Sequence, residues 1–139
     1  TYHWVFALAE GGLSTPTVYA ECDRLRRNRI VPEPRPGMGL MGALRTGDPF
    51  ELAEHLRNDL QEAALSLRPA LREVLDEGLG FGALAGIVSG SGPTVAFLVE
   101  DLEAGLDLAV ALTASGTVRD VRRAQGPVHG AHVIPAPID

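Results

Sequence analysis

The spacing of apolar positions changes several times along the chain, and each change marks an element. Trp4 to Ala9 (WVFALA) is an apolar, strand-favouring run stopped by Gly11 and Gly12, which predicts a buried strand followed by a turn. Ser14 and Thr15 offer N-cap hydroxyls, and Pro16 suits the first helical position. Val18, Tyr19, Cys22 and Leu25 then recur at helical spacing, so a helix is predicted through about Arg27. From Val31 to Gly47 prolines and glycines break every period, and a long loop is expected there. Asp48 is placed to cap a helix in which Ala53, Leu56, Leu60, Ala63, Ala64 and Leu67 follow one face. Arg68-Pro69 ends it before a second helix, about Pro69 to Glu77.

The second half alternates faster. Ala83 to Val88 and Thr94 to Val99 are apolar runs joined by Ser89-Gly90-Ser91-Gly92-Pro93, a strand pair around a glycine turn. Asp101 begins a helix with Leu102, Leu106, Ala109 and Val110 expected on its inner face and Gly116 just past its end. Thr117 to Arg123 and Val128 to Ile134 are two weaker strand-like stretches. With the helical insertion and the last short strand set aside, the order is β-α-β-β-α-β. That order predicts an α+β fold, the ferredoxin-like split β-α-β arrangement, with an antiparallel sheet, helices on one face and a helical insertion.

Composition narrows this further. The chain has 139 residues, 45% of them hydrophobic, with a net charge of −6, enough for one core, so residues 1–139 read as a single domain. No apolar run is long enough to span a bilayer and no signal peptide opens the chain, so a soluble, cytoplasmic domain is expected with no membrane partner. The acidic balance argues against a nucleic-acid partner. Cys22 is the single cysteine, which excludes an intrachain disulfide. All 12 basic residues are arginines, so a P-loop signature and Schiff-base chemistry are both excluded. The chain opens on Thr1 and enters a strand almost at once, like a piece of something longer.

Ser89-Gly90-Ser91-Gly92-Pro93-Thr94 is the sharpest candidate site. Two glycines with hydroxyl neighbours let backbone N–H groups converge on an anion, although a tight turn is the plainer reading of the same residues. It is neither a dinucleotide fingerprint nor a nucleophile elbow. His129 and His132 would point to opposite faces of a strand, and no carboxylate or thiol lies beside them, so no metal site is expected. Asn58-Asp59 is expected on the solvated face of its helix, Tyr19 in the core by default, and Cys22 as a buried, inert thiol. Arg24, Arg26, Arg27 and Arg29 read as a solvated helix end.

Taken together, three segments resemble the carboxyl-terminal part of the GHMP kinases: Trp4 to Glu21, the Asn58-Asp59-Leu60 triplet inside a helix, and Ser89 to Asp101, which is similar to the family's third motif. The resemblance is strongest to members acting on a cytidine-diphosphate-linked sugar alcohol. It implies transfer of the γ-phosphoryl group of ATP, with magnesium, to a substrate hydroxyl. The ATP loop and the catalytic lysine and aspartate would belong to an amino-terminal domain absent from this chain, which alone would be inactive. By position, the resemblance assigns Ser89, Gly90, Ser91, Gly92, Pro93 and Thr94 to the phosphate region and Tyr19, with Pro16 close by, to the substrate. A homoserine- or mevalonate-type kinase and a noncatalytic ferredoxin-like ligand-binding module remain as alternatives.

Overall fold

The computed structural model describes residues 1–135. Four strands, β1 (Tyr2–Leu8), β2 (Ala85–Val88), β3 (Thr94–Val99) and β4 (Asp120–Gly126), form one antiparallel sheet in the order β2-β3-β1-β4. Helix α1 (Thr15–Arg26) follows β1, and α6 (Leu102–Ser115) joins β3 to β4. The two crossovers interlock, because β3 lies between β1 and β2 while β1 lies between β3 and β4. This is the split β-α-β arrangement expected from the sequence. The insertion between α1 and β2 contains α2 (Met38–Thr46), α3 (Pro49–Ala53), α4 (Gln61–Leu67) and α5 (Ala70–Gly80).

The sheet has two differently covered faces because side chains alternate along each strand. Val5 and Ala7 of β1 and Val95, Phe97 and Val99 of β3 face a core completed by Val18 and Cys22, Ala63 and Ala64, Leu71, Val74 and Leu75, and Leu108 and Leu112. Leu98, Tyr2 and Trp4 face the other way and pack with Ala43, Leu40 and Leu52 of α2 and α3. The frame keeps its helices on one face, as expected, and the insertion adds a small second layer behind it.

Four local expectations are corrected. Residues 31–37 are irregular, but the rest of the expected loop is α2, ended by Gly47 in the left-handed conformation. Glycines that read as helix breakers bring α2 close to its neighbour, since a Cβ at Gly39 would collide with the His55 ring. Tertiary contacts then hold the helix: Ala43 is buried, and the Tyr2 hydroxyl donates to its carbonyl at 3.1 Å.

The single helix expected from Asp48 to Leu67 is two helices. Asp48 caps α3 through the Phe50 N–H at 2.8 Å, as expected, but the helix stops at Ala53 and resumes at Gln61. Asn58 lies in the gap, where its side chain bonds the backbone and competes with helical pairing.

Helix α6 is capped by Asp101, which accepts from the Ala104 N–H at 2.8 Å, and closed by Gly116. It turns a different face inward than expected. Gly105, Leu108 and Leu112 are buried, whereas Leu102, Leu106 and Val110 are 61%, 49% and 62% exposed. The helix is apolar on several sides, so its period is ambiguous. Gly105 favours this face, because it lets α6 lie close to the sheet, where an added Cβ would stand a tight 3.3 Å from Val99 Cγ2. Finally, β4 begins at Asp120, and Val128 to Ile134 forms no strand.

Candidate functional site

The loop joining β2 to β3 is a compact turn. Ser89 N–H donates to the Thr94 carbonyl at 2.8 Å, and Gly92 N–H donates to the Ser89 carbonyl at 2.9 Å. Gly90 and Gly92 have φ of +56° and +77°, a region that favours glycine. Among the described residues, no acceptor is found for the N–H groups of Gly90 and Ser91. Successive free N–H groups beside a left-handed residue can hold an anion.

Three separate segments brace this loop. The Thr15 hydroxyl, at the start of α1, lies 2.9 Å from that of Ser91. The Asn58 amide donates to the carbonyls of Val88 at 2.7 Å and Gly90 at 2.8 Å, and its oxygen accepts from the Leu60 N–H at 3.1 Å. Gln61 accepts from the Val88 N–H at 2.9 Å. Asn58 is therefore part of the loop's support rather than a solvated residue on a helix face. Its signal in the sequence was an Asn interrupting an otherwise helical period, a placement that favours side-chain to backbone bonding.

Tyr19 and Gly90 line one open cleft of about 700 Å³, together with Asp23, Arg26, Arg57 and Asn58. Tyr19 is 55% exposed, which overturns its default placement in the core. Pro16 lies at the exposed start of α1 and is not among the cleft's lining residues. A second cleft, of about 460 Å³, shares Arg26, Arg57 and Asp59 with the first and extends to Arg35 and His55.

Of the arginines at the end of α1, Arg24, Arg26 and Arg29 meet carboxylates rather than solvent alone. Arg24 grips Glu21 through two hydrogen bonds of 2.7 Å, and the Ser66 hydroxyl donates to the same carboxylate at 2.7 Å. These partners, Arg24 first and Ser66 second, hold the Glu21 carboxyl down to about 2. Arg29 makes a similar pair with Glu62 at 3.0 and 3.2 Å, while Arg26 approaches Asp59 only to 3.8 Å. Cys22 is buried, as expected, with its thiol 3.9 Å from the Asp59 carbonyl. The His129 and His132 rings meet edge to face with centroids 6.2 Å apart, so the opposite-face argument fails along with the strand it assumed. Among the described residues, no three His, Cys, Asp or Glu side chains gather as a metal cluster would require.

Residues 40–117 match the family described as GHMP kinases C terminal. The chain is 57% identical to the 4-diphosphocytidyl-2-C-methyl-D-erythritol kinase of Mycolicibacterium smegmatis over 99% of its own length and 43% of that protein's. It therefore spans less than half of the curated relative it matches. A crystal structure of 4-(cytidine 5'-diphospho)-2C-methyl-D-erythritol kinase aligns with a TM-score of 0.68 at 25% identity, covering 87% of this chain and 41% of that one. Homoserine kinase from Cytophaga hutchinsonii shares the fold, with a TM-score of 0.66 at 18% identity over 89% of this chain and 41% of its own. The glycine loop between paired strands, the split sheet around it and the match over residues 40–117 lead to one conclusion: the chain belongs to the GHMP kinases, as a carboxyl-terminal domain of that family.

Proposed function

We propose that this chain is the substrate-side domain of an ATP-dependent kinase that phosphorylates the 2-hydroxyl of 4-diphosphocytidyl-2-C-methyl-D-erythritol in non-mevalonate isoprenoid biosynthesis, a cytoplasmic reaction. The observation that carries the reading is one cleft lined by both Tyr19 and Gly90, so that an exposed aromatic ring and a residue of the glycine loop border the same space. Support also comes from the name of a relative that is 57% identical.

In this reading the exposed ring of Tyr19 stacks on the cytosine base, with Pro16 beside it at the start of α1. The base and diphosphate then act as a handle that orients the reacting hydroxyl. Ser89 to Thr94 form the phosphate region. There Gly90 and Ser91 offer backbone N–H groups, Gly92 and Pro93 shape the turn, and the Ser91 and Thr94 hydroxyls are further donors to the charge that shifts during transfer.

The catalytic lysine implied by the family resemblance lies in an amino-terminal domain, since this chain contains no lysine, and the ATP loop and catalytic aspartate are assigned to that domain with it. Magnesium would neutralise charge on the ATP phosphates. Its ligands are assigned in this reading to the same amino-terminal domain as the ATP site.

The test joins this chain to the amino-terminal part of the M. smegmatis relative and measures ATP-dependent phosphorylation of the cytidine-diphosphate substrate, with homoserine and mevalonate in parallel. Turnover of the cytidine-linked substrate by the fusion, and none by the chain alone, is the expected result. A folded fusion that turns over homoserine or mevalonate instead, or that turns over nothing and only binds a ligand, would overturn the reading.

A further inference from the structure

Asn58 does more than fill a break between two helices. In the sheet, β2 is an edge strand, and the bond from Ser89 N–H to the Thr94 carbonyl makes that pair the hydrogen-bonded one. The neighbouring Val88·Val95 pair must then turn the N–H and C=O of Val88 toward the open edge. Val88 is fully buried, so both groups need partners. Gln61 takes the N–H and Asn58 takes the carbonyl, two side-chain amides standing in for a missing strand.

Only Asn58 reaches further. Its second bond, 2.8 Å to the Gly90 carbonyl, acts on a different peptide unit, the one that joins Gly90 to Ser91. A peptide unit is planar, and in the trans form its C=O and N–H point in opposite directions. Fixing the Gly90 carbonyl on Asn58 therefore fixes the direction of the Ser91 N–H. Besides that bond, only the turn closed by Gly92 N–H on the Ser89 carbonyl constrains the plane, because Gly90 lacks a Cβ and nothing lies within 4 Å of where one would be. The Ser91 side chain is fixed separately by the Thr15 hydroxyl.

We infer that Asn58 is a positioning residue for phosphoryl transfer: it holds the Gly90–Ser91 peptide plane so that the Ser91 N–H is a preorganised donor to the transferred group. The inference rests on the function proposed above. A donor that is already aimed needs no reorganisation as charge develops, so its loss falls on the chemical step rather than on ground-state binding.

The experiment uses the fusion described above and compares Asn58→Ala, Asn58→Asp and Gln61→Leu for kcat, for KM of each substrate, and for thermal unfolding. Asn58→Asp keeps the side chain's shape and its acceptor for the Leu60 N–H but loses both donors. Gln61→Leu removes the other brace of Val88 and leaves the Gly90 carbonyl held. Both Asn58 variants are expected to lower kcat about 10- to 100-fold, the range reached by outer partners of reacting groups at metal sites, with KM values within about 3-fold of wild type. Gln61→Leu is expected to lower the unfolding temperature while keeping kcat. Wild-type kcat in Asn58→Ala, or equal losses of kcat in the Gln61 and Asn58 variants, would overturn the positioning role and leave only a structural brace. If the wild-type fusion is folded and inactive on the cytidine-linked substrate, the proposed function fails and takes this inference with it, a result that differs from an active wild type with an active Asn58→Ala.

Discussion

Gly92 and Gly90 share the left-handed conformation but not their surroundings. A Cβ on Gly92 would lie 3.2 Å from Val88 Cγ1 and 3.3 Å from Leu13 Cδ1, whereas a Cβ on Gly90 would meet open space. Of the two positions, an added side chain would crowd a neighbour at Gly92 alone. Alanine at Gly90 is therefore expected to cost only its conformational strain, about 1 kcal/mol, and alanine at Gly92 about 2 to 3 kcal/mol once crowding is added. Urea denaturation of the two variants checks the order, and equal losses would place the strain in the backbone alone. Asn58 marks the other side of what can be seen at this scale. Its residue type and its place in the helical pattern are visible in the sequence, but its partners Val88 and Gly90 lie 30 and 32 residues away and no local rule points to them.

At the scale of elements, the strands and capped helices follow rules that act within a few residues. Asp48 and Asp101 cap the helices they precede, and Gly116 closes α6 in the left-handed conformation. What such rules miss is which face turns inward when several are apolar. In α6, Leu108 is 1% exposed and Leu106 is 49% exposed, although both belong to apolar stripes. Leu108→Ala is expected to destabilise the protein by about 2 to 5 kcal/mol, while Leu106→Gln changes stability by no more than about 0.5 kcal/mol. Thermal unfolding of the pair measures this, and a large loss from Leu106→Gln would mean that its face is covered. Helix α2 shows the same dependence on context. Its glycines lower intrinsic helicity, and its pairing with Tyr2 and Trp4 restores it.

At the scale of the molecule, the cleft exists only because the fold brings Tyr19 of α1, Arg57 and Asn58 of the insertion, and Gly90 of the strand loop to one place. If the exposed Tyr19 ring binds the base of the substrate, Tyr19→Ala in the fusion raises KM for the cytidine-linked substrate about 10-fold or more, in line with stacking of about 1 to 3 kcal/mol per base, and leaves KM for ATP unchanged. Tyr19→Phe, which keeps the ring, restores it. Steady-state kinetics with each substrate varied in turn checks this, and an unchanged KM for the cytidine-linked substrate in Tyr19→Ala would remove Tyr19 from the site.

The split β-α-β frame and the glycine loop were legible in the sequence, because apolar period, capping residues and turn glycines act locally and are written where they act, whereas α2 and the division of α3 from α4 were not. Tertiary structure alone decided that Tyr19 stays exposed, that α6 buries Gly105 and Leu108, and that Asn58 and Gln61 complete the edge of β2. Each of those outcomes depends on what a distant segment brings to the same space. A side chain is buried only if something arrives to cover it, and a backbone carbonyl can be held by whichever amide the fold carries to it.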